Sequence, residues 1–294
     1  MPREYKKCYL CARGCGVDRE AGQIGACRMP SDVFVSRIGL HAWEEPVISG
    51  TRGSGTVFFS GCSLGCSFCQ NREISRGAVG RRIGIEELSQ RMLELEHLGA
   101  HNINFVTPTH YSPSVREAVE LARGRGLSVP IVYNTGSYDT VEALRALDGT
   151  VDVYLPDMKY YRSETAKRLA GAENYPTVAL AAIAEMVRQQ PTPAVHDGIM
   201  EKGVIVRFLL LPGHVAEAKL ALRSVYNAFG NNVYYSLMSQ YTPLSGMAPP
   251  LDRRVTRAEY LELVEYADRI GVENGFTQGE DAAAEAYIPE FDLK

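Results

Sequence analysis

Short runs of β-branched and aromatic residues alternate with amphipathic stretches along most of this 294-residue chain, and this alternation limits the folds it can adopt. The predicted strands span residues 56–60, 102–107, 128–134, 151–156, 203–211 and 232–240. The predicted helices span residues 85–98, 114–125, 139–147, 164–170, 177–190 and 215–229. Strands that alternate with helices in this way are typical of an α/β fold with a parallel sheet. Such a sheet places its ligand site at the carboxyl ends of its strands.

The second predicted helix carries a capping pattern near its start. Ser114 precedes Glu117 by three residues, the spacing of a capping box. Ser114 is therefore the predicted N-cap of that helix.

Three cysteines follow the first predicted strand with the spacing C-x3-C-x2-C, namely Cys62, Cys66 and Cys69. Three thiolates on such a short loop can bind three of the four irons of an iron–sulfur cube. No fourth cysteine follows nearby, so one iron would keep an open position, which is typical of a reactive centre. Half of a zinc site and buried thiols without a metal are the alternatives, although zinc sites usually pair C-x2-C motifs.

A second group of cysteines lies near the start of the chain, where Cys8, Cys11, Cys15 and Cys27 form C-x2-C-x3-C-x11-C. Four cysteines make a closed site, and closed sites are usually structural or electron-carrying. Structural zinc and a second iron–sulfur cluster both fit this spacing. Thiols without a metal are the remaining alternative.

Polar residues follow or lie within the other predicted strands, at the sheet edge where a ligand would bind. They are Thr107, Thr109, His110, Tyr111, Asn134, Ser137, Asp157, Lys159, Arg207 and Gln240. Several of them have a purely structural alternative. Asp157 and Lys159 share one face of a strand and could form an ion pair, and Arg207 could form an interior salt bridge. A single loop histidine such as His110 is more often a hydrogen-bonded structural residue than a catalytic one.

The cysteine spacing, together with Phe68 just before the last cysteine, resembles the signature of the radical S-adenosylmethionine (radical SAM) enzymes. The order of the motifs from about residue 55 to 245 is similar to the activating enzymes of glycyl radical enzymes, and to a branch labelled pyruvate formate-lyase activating enzyme-like. The run Cys8–Cys15 extends this resemblance to nearly the whole chain. The resemblance implies a partial (β/α)6 barrel with a small N-terminal Cys-rich extension.

The resemblance also implies the chemistry. Cys62, Cys66 and Cys69 would hold a [4Fe-4S] cluster whose free iron is chelated by S-adenosyl-L-methionine. The reduced cluster would cleave this cofactor to a 5′-deoxyadenosyl radical, which abstracts a hydrogen atom from a substrate. A reductant such as flavodoxin or ferredoxin would supply the electron.

The candidate cofactor-binding residues are Phe68, Thr107, Thr109, Asn134, Ser137, Asp157, Arg207 and Gln240. Of these, Asn134, Asp157 and Arg207 match motifs of the family, and the resemblance implies a monovalent cation near Asp157. His110 and Tyr111, which follow the second strand, are candidate catalytic residues together with Lys159. The family's Gly-Gly-Glu-Pro motif, which binds the methionine amine, is replaced here by Thr107-Pro108-Thr109. The amine contact is therefore assigned to these threonines or to backbone carbonyls.

Three functions are consistent with these motifs. The first is a radical SAM enzyme that acts on a small-molecule or peptide substrate, which the altered threonine motif and the four-cysteine segment favour. The second is an activating enzyme that installs a glycyl radical in a partner protein. The third is a non-catalytic iron–sulfur electron-transfer protein.

Composition narrows the compartment and the partners. The net charge of −4 and the lack of a basic run give no support for a nucleic-acid partner. Seven cysteines, all before residue 70, indicate metal ligation in a reducing cytoplasm rather than disulfides. The sequence has no long apolar stretch and no signal-peptide pattern, so we expect a cytoplasmic protein without a membrane segment. The predicted segments are a metal-binding extension (1–50), the barrel (51–245) and a C-terminal helix and tail packed on it (246–294).

Overall fold

A computed structural model describes residues 3–77, 79–279 and 291 of the chain. These residues form one sheet of ten strands. The strands are β1 (Val33–His41), β2 (Ser54–Phe59), β3 (Arg81–Ile83), β4 (Ile103–Val106), β5 (Ile131–Thr135), β6 (Val153–Pro156), β7 (Ala194–His196), β8 (Ile199–Leu209), β9 (Tyr234–Met238) and β10 (Gly275–Thr277). The helices are α1 (Pro46–Ser49), α2 (Arg72–Ser75), α3 (Ile85–His97), α4 (Ser112–Gly124), α5 (Val141–Arg145), α6 (Ser163–Ala170), α7 (Tyr175–Gln189), α8 (Val215–Phe229) and α9 (Arg257–Ile270).

The sheet is parallel along most of its width. Its strand order is β10-β9-β8-β6-β5-β4-β2-β1-β3. The strands β10, β9, β8, β6, β5, β4 and β2 are parallel to one another. The strand β1 runs antiparallel to both β2 and the edge strand β3, and β7 pairs antiparallel with β8. The six predicted strands correspond to β2, β4, β5, β6, β8 and β9. The predicted α/β fold with a parallel sheet is thus confirmed.

Alternation along the strands separates a large core from a smaller one. Phe105 and Tyr133 belong to the large cluster of buried residues, which also contains apolar side chains of the long helices α3, α4, α7 and α8. Val132, Leu155 and Ile205 point to the opposite, inner face and form a second cluster. Because side chains alternate with a period of two, Asn134, Asp157 and Arg207 each share that inner face with the apolar residue two positions before them.

The segment between β1 and β2 covers the inner face. Ile48 of α1 packs against the inner-face cluster, and its carbonyl oxygen accepts a hydrogen bond of 2.7 Å from the Asn102 side chain. The hydroxyl of Ser54 donates to Asn102 in turn. This segment therefore fills the inner side of the sheet below the strand ends, although no strand or helix was predicted there.

Four strands and two short helices were not predicted, and one N-cap assignment differs. The strands β3, β7 and β10 are only three residues long, and the helices α1 and α2 only four, so they leave little periodic signal. The strand β1 lies in the segment that was predicted as a metal-binding extension. The N-cap assignment of Ser114 is wrong, because α4 begins at Ser112 and carries Pro113 in its first turn. Proline suits that position since the first helical N–H groups need no intrahelical acceptor. Ser114 instead hydrogen-bonds the hydroxyl of Tyr5, 2.8 Å away.

The C-terminal part is described only up to residue 279 and at Phe291. α9 begins with a capping box made by Thr256 and Glu259, and β10 pairs with β9. The predicted packing of the tail on the barrel lies largely outside the described residues, although Phe291 makes an edge contact with Phe58. In the part of the chain that the structure describes, no helix is both long and apolar enough to span a membrane.

Two glycines on the loop after β2 differ in their surroundings and allow a matched test. Both have positive φ, +82° at Gly61 and +60° at Gly65. A Cβ on Gly61 would overlap Met29 and lie 2.7 Å from the carbonyl oxygen of Cys27, whereas nothing lies within 4 Å of a Cβ on Gly65.

We expect Gly61→Ala to lower the free energy of unfolding by about 2–4 kcal/mol, because backbone strain and a steric clash add. Gly65→Ala, which adds only the strain, should lower it by about 1 kcal/mol. Urea denaturation of the two variants and the wild type measures both effects. Equal losses in the two variants would contradict the tight packing of the N-terminal segment against Gly61.

Candidate active site

The carboxyl ends of the parallel strands open into a cavity of ≈ 250 Å³. Most of the predicted site residues line it together. They are Cys62, Cys66, Phe68, Cys69, Thr107, Asn134, Asp157, Lys159, Arg207 and Gln240. The cavity thus brings cysteine thiols together with a charged group of side chains.

The cysteine loop follows β2 and is held by backbone hydrogen bonds. Ser67 N–H donates to the carbonyl of Leu169 at the end of α6, and Cys69 N–H donates to Cys66 within the loop. The thiol of Cys66 accepts a hydrogen bond from the Tyr160 hydroxyl, 3.1 Å away. Burial raises the pKa of the Cys66 thiol to about 12. This thiol is therefore neutral at pH 7 unless a metal ion displaces its proton.

The three cysteines of the loop fit an iron–sulfur cube, in which each cysteine binds a different iron. Hydrogen-bond donors already face the sulfur atoms, since Tyr160 donates to Cys66 and the backbone N–H of Leu64 donates to Cys62 at 3.4 Å. Such donors stabilise the thiolate form that a cluster ligand takes.

An ion-pair network also lines the cavity. The Arg207 guanidinium donates from Nε to Asp157 Oδ1 at 2.9 Å and from Nη2 to the Asn134 side-chain oxygen at 2.5 Å. Lys159 Nζ lies 2.6 Å from the other oxygen of Asp157. Burial raises the pKa of Asp157, but the charges of Arg207 and Lys159 outweigh burial, so its pKa lies below the ordinary value. Asp157 is therefore an anion between two cations.

The network also joins two strands beyond their regular pairing. β6 and β8 pair at Val153 and Tyr154, and farther along only an isolated bridge connects Asp157 with Arg207. Their side chains meet at this bridge. The ion-pair alternatives predicted for Asp157, Lys159 and Arg207 describe their contacts, and the same residues line the cavity.

Glu44 and Trp43 are two of the lining residues that were not predicted. They precede α1 rather than follow a predicted strand. Glu44 accepts from Arg207 Nη1 and from the Asn134 amide, both at 3.4 Å. Burial raises the pKa of Glu44, although Arg207 opposes this shift. Trp43, the only tryptophan of the chain, lines the cavity with 58% of its surface exposed. The adjacent acidic pair Glu44-Glu45 was the only signal in the sequence.

Thr107 and Thr109 lie in different environments. Thr107 lines the cavity and has a φ of +60°, a conformation that β-branched residues rarely adopt. Such backbone strain is concentrated at functional sites. Thr109 is buried outside the lining, where its hydroxyl lies 3.1 Å from that of Thr135, which donates to Asp139.

His110, Tyr111 and Ser137 are buried and are not among the described residues that line the cavity. His110 Nε2–H donates to the carbonyl of Ser60 at 2.7 Å. Burial, aided by the charge of Arg19, lowers the pKa of His110 to about 3, so its ring is neutral at pH 7. Tyr111 accepts a hydrogen bond from Phe34 N–H at 3.3 Å. The three residues thus lie outside the cavity lining, although His110 contacts Ser60, which directly precedes the cysteine loop.

The four N-terminal cysteines lie in a turn-rich segment. Cys8, Cys11 and Cys27 are buried and Cys15 is exposed. Burial raises the pKa of Cys11 to about 12, and the neighbouring thiols of the other three raise it further. These thiols are close enough to affect one another, but they are not drawn to a single point.

Comparisons with known proteins agree with this geometry. Residues 56–200 match the family described as the radical SAM superfamily. The chain is 28% identical to an uncharacterised protein of Methanocaldococcus jannaschii, over 92% of this chain and 76% of that protein. It is 21% identical to the pyruvate formate-lyase 1-activating enzyme of Escherichia coli K12, over 79% of this chain and 97% of that enzyme.

Solved structures show the same fold. Methylornithine synthase superposes with a TM-score of 0.51 at 16% identity, over 81% of this chain and 77% of that one. Streptococcus suis SuiB bound to S-adenosylmethionine also superposes with a TM-score of 0.51, at 11% identity, over 74% of this chain and 48% of that one. At these identities the likeness concerns the fold alone.

Proposed function

This chain carries a radical SAM domain and is a distant homologue of pyruvate formate-lyase activating enzyme, and on that premise we propose that its strand-end cavity binds a [4Fe-4S] cluster and S-adenosyl-L-methionine. One observation carries the proposal. The thiols of Cys62, Cys66 and Cys69 face the same cavity as the charged network of Asp157, Lys159 and Arg207. The cysteine thiols and the charged side chains thus line one cavity.

The proposed roles follow from the lining. Cys62, Cys66 and Cys69 would hold the cluster, and Asn134, Asp157, Arg207, Thr107, Gln240 and Phe68 would surround the cofactor. When bound, the reduced cluster and S-adenosyl-L-methionine supply a 5′-deoxyadenosyl radical that abstracts a hydrogen atom from the substrate. The protein positions the groups and excludes water.

A monovalent cation near Asp157 remains part of the proposal. One carboxylate oxygen of Asp157 contacts Lys159 and the other contacts Arg207. Burial lowers the pKa of Lys159, but Asp157 outweighs burial and raises it, so the ammonium stays charged. Lys159 is therefore a second candidate for the positive charge expected beside this carboxylate.

The substrate is proposed to be a small molecule or the side chain of a peptide. The cavity of ≈ 250 Å³ is smaller than typical small-molecule sites, which enclose about 300–1,000 Å³. We propose that the substrate presents only a small reacting group to the bound cofactor, from the side of the exposed Trp43. Flavodoxin or ferredoxin is the proposed reductant, as in the resemblance described above.

An activating function is the second candidate, favoured by the distant homology to the E. coli enzyme. An electron paramagnetic resonance doublet from a glycyl radical, formed in a partner protein incubated with this enzyme, would establish it. A doublet would also exclude a free small molecule as the physiological target.

The central test is anaerobic reconstitution with iron and sulfide, followed by dithionite and S-adenosyl-L-methionine. We expect 5′-deoxyadenosine from the wild type and none from Cys66→Ala, which removes a cluster ligand. Ser67→Ala is the matched control, because it alters the same loop but removes a hydroxyl that has no hydrogen-bond partner among the described residues. Chromatography of the products measures all three proteins.

Two outcomes would contradict the proposal. Cleavage by Cys66→Ala at the wild-type rate would refute the cluster assignment. A wild type that forms its cluster but yields no 5′-deoxyadenosine would favour the electron-transfer function.

We propose a second metal centre at Cys8, Cys11, Cys15 and Cys27. Substituting alanine for Cys62, Cys66 and Cys69 together should leave only this centre, so metal analysis of the triple variant identifies it. About four irons per chain would indicate a second cluster, and one zinc a structural site. A triple variant without bound metal would contradict the second centre.

Tyr160 is proposed to tune the cluster, since hydrogen bonds to cluster sulfurs influence the reduction potential. Tyr160→Phe removes only the hydroxyl that donates to Cys66, and it should make the midpoint potential more negative. A redox titration followed by electron paramagnetic resonance measures the shift. Tyr133→Phe is the control, because that buried hydroxyl donates to Asp139 instead. An unchanged potential in Tyr160→Phe would show that this hydrogen bond has no influence.

A further inference from the structure

The side chain of Arg13 connects the four-cysteine segment to the cysteine loop after β2. Its Nε donates to the carbonyl of Ser63 at 2.8 Å, and its Nη2 donates to that of Leu64 at 3.1 Å. The same guanidinium donates to the carbonyls of Ala170 at 2.7 Å and Gly171 at 2.5 Å, at the end of α6. One cation thus binds four carbonyl oxygens from two separate parts of the chain.

The position of Arg13 in the sequence gives this contact its significance. Arg13 lies between Cys11 and Cys15 of the N-terminal group, while Ser63 and Leu64 lie between Cys62 and Cys66. The contact therefore joins the interior of one cysteine motif to the interior of the other.

We propose that Arg13 is a positioning residue, through which the four-cysteine segment holds the cysteine loop in the geometry that a cluster requires. This inference rests on the proposed function, because the loop is taken as the cluster site. It gives the N-terminal segment a role that neither the family nor the cysteine spacing assigns.

A guanidinium suits this role for geometric reasons. Its planar fork presents several N–H donors in fixed directions, whereas a lysine ammonium is a single point. The Arg13 guanidinium lies 5.3 Å from the centre of the Tyr138 ring, and the backbone of Ala12 donates to the carbonyl of Tyr138. The hydroxyl of Tyr138 donates to Asn174 at 2.5 Å. Arg13 is therefore itself held in place from the loop that follows β5.

The N-terminal segment holds the same loop in two further ways, one by direct packing and one through Arg76. Gly61, at the start of the loop, packs so closely on Met29 and the Cys27 carbonyl that a Cβ does not fit. Arg28 donates to the carbonyl of Arg76 at 2.9 Å, and the Arg76 side chain reaches the carbonyls of Gly65 and Cys66 at 3.5 and 3.4 Å. The segment thus contacts the loop at its start and in its middle.

We expect Arg13→Ala to disturb the geometry of the cysteine loop without removing a cluster ligand. Arg13→Ala keeps all seven cysteines but frees the carbonyls of Ser63 and Leu64. Small displacements of reacting groups can reduce a rate by about a hundredfold. We expect the cluster to form in this variant and to bind S-adenosyl-L-methionine more weakly by about tenfold or more.

The experiment compares Arg13→Ala, Arg13→Lys and Arg116→Ala with the wild type, each reconstituted under anaerobic conditions. Arg116 is the matched control because it also binds the N-terminal segment, through Glu4 at 3.2 Å, but its other contact is the carbonyl of Ala146 rather than the loop. Hydrogen–deuterium exchange is measured on peptides covering residues 61–70. The S-adenosyl-L-methionine concentration that half-completes the change in the electron paramagnetic resonance signal is measured in parallel.

We expect faster exchange and weaker cofactor binding in Arg13→Ala, a smaller effect in Arg13→Lys, and wild-type values in Arg116→Ala. If Arg13→Ala does not fold, Arg13→Lys decides by the same two readouts. Unchanged loop exchange in a folded Arg13 variant, or an equal change in Arg116→Ala, would overturn the role of Arg13. A wild type that takes up no cluster would contradict the proposed function instead, while the exchange data would still decide whether Arg13 holds the loop.

Discussion

The ion pair between Asp157 and Arg207 is the interaction on which the polar half of the site depends. It connects β6 and β8 where their regular pairing has ended, and it brings Asn134, Lys159 and Glu44 to one wall. Removing one partner of a buried ion pair leaves an uncompensated charge, which typically destabilises a protein by about 3–5 kcal/mol. The pair thus stabilises the fold, because it connects β6 and β8, and it also forms part of the cavity lining.

Most of the sheet could be predicted from the sequence because its strands follow a local pattern. Buried parallel strands such as β4 and β5 appear as short runs of apolar residues bounded by turns, and their order along the chain implies the parallel sheet. The cysteine loop could be located for the same reason, since its three ligands are close in sequence. The contacts of Glu44 and Arg13 involve residues far away in the chain, so local patterns could not predict them.

Residues just after β4 show why proximity to a strand end does not guarantee a place in the cavity. Thr107 turns the chain with a positive φ, and residues 109–111 then form a short 3-10 helix that leads into α4. His110 and Tyr111 are buried outside the cavity lining, where the guanidinium of Arg19 lies 5.4 Å from the centre of the Tyr111 ring and donates to the carbonyl of His110. Of the three predicted catalytic residues, only Lys159 lines the cavity.

The segment before α1 places a fluorescent side chain at the cavity. Trp43 is the only tryptophan of the chain, and it lies at the cavity, largely exposed to solvent. Indole emission from this protein therefore originates at one place, without the averaging over several tryptophans that complicates other proteins. A chromophore or a quencher that enters the cavity lies beside the fluorophore, so the protein contains its own reporter of whether the site is occupied.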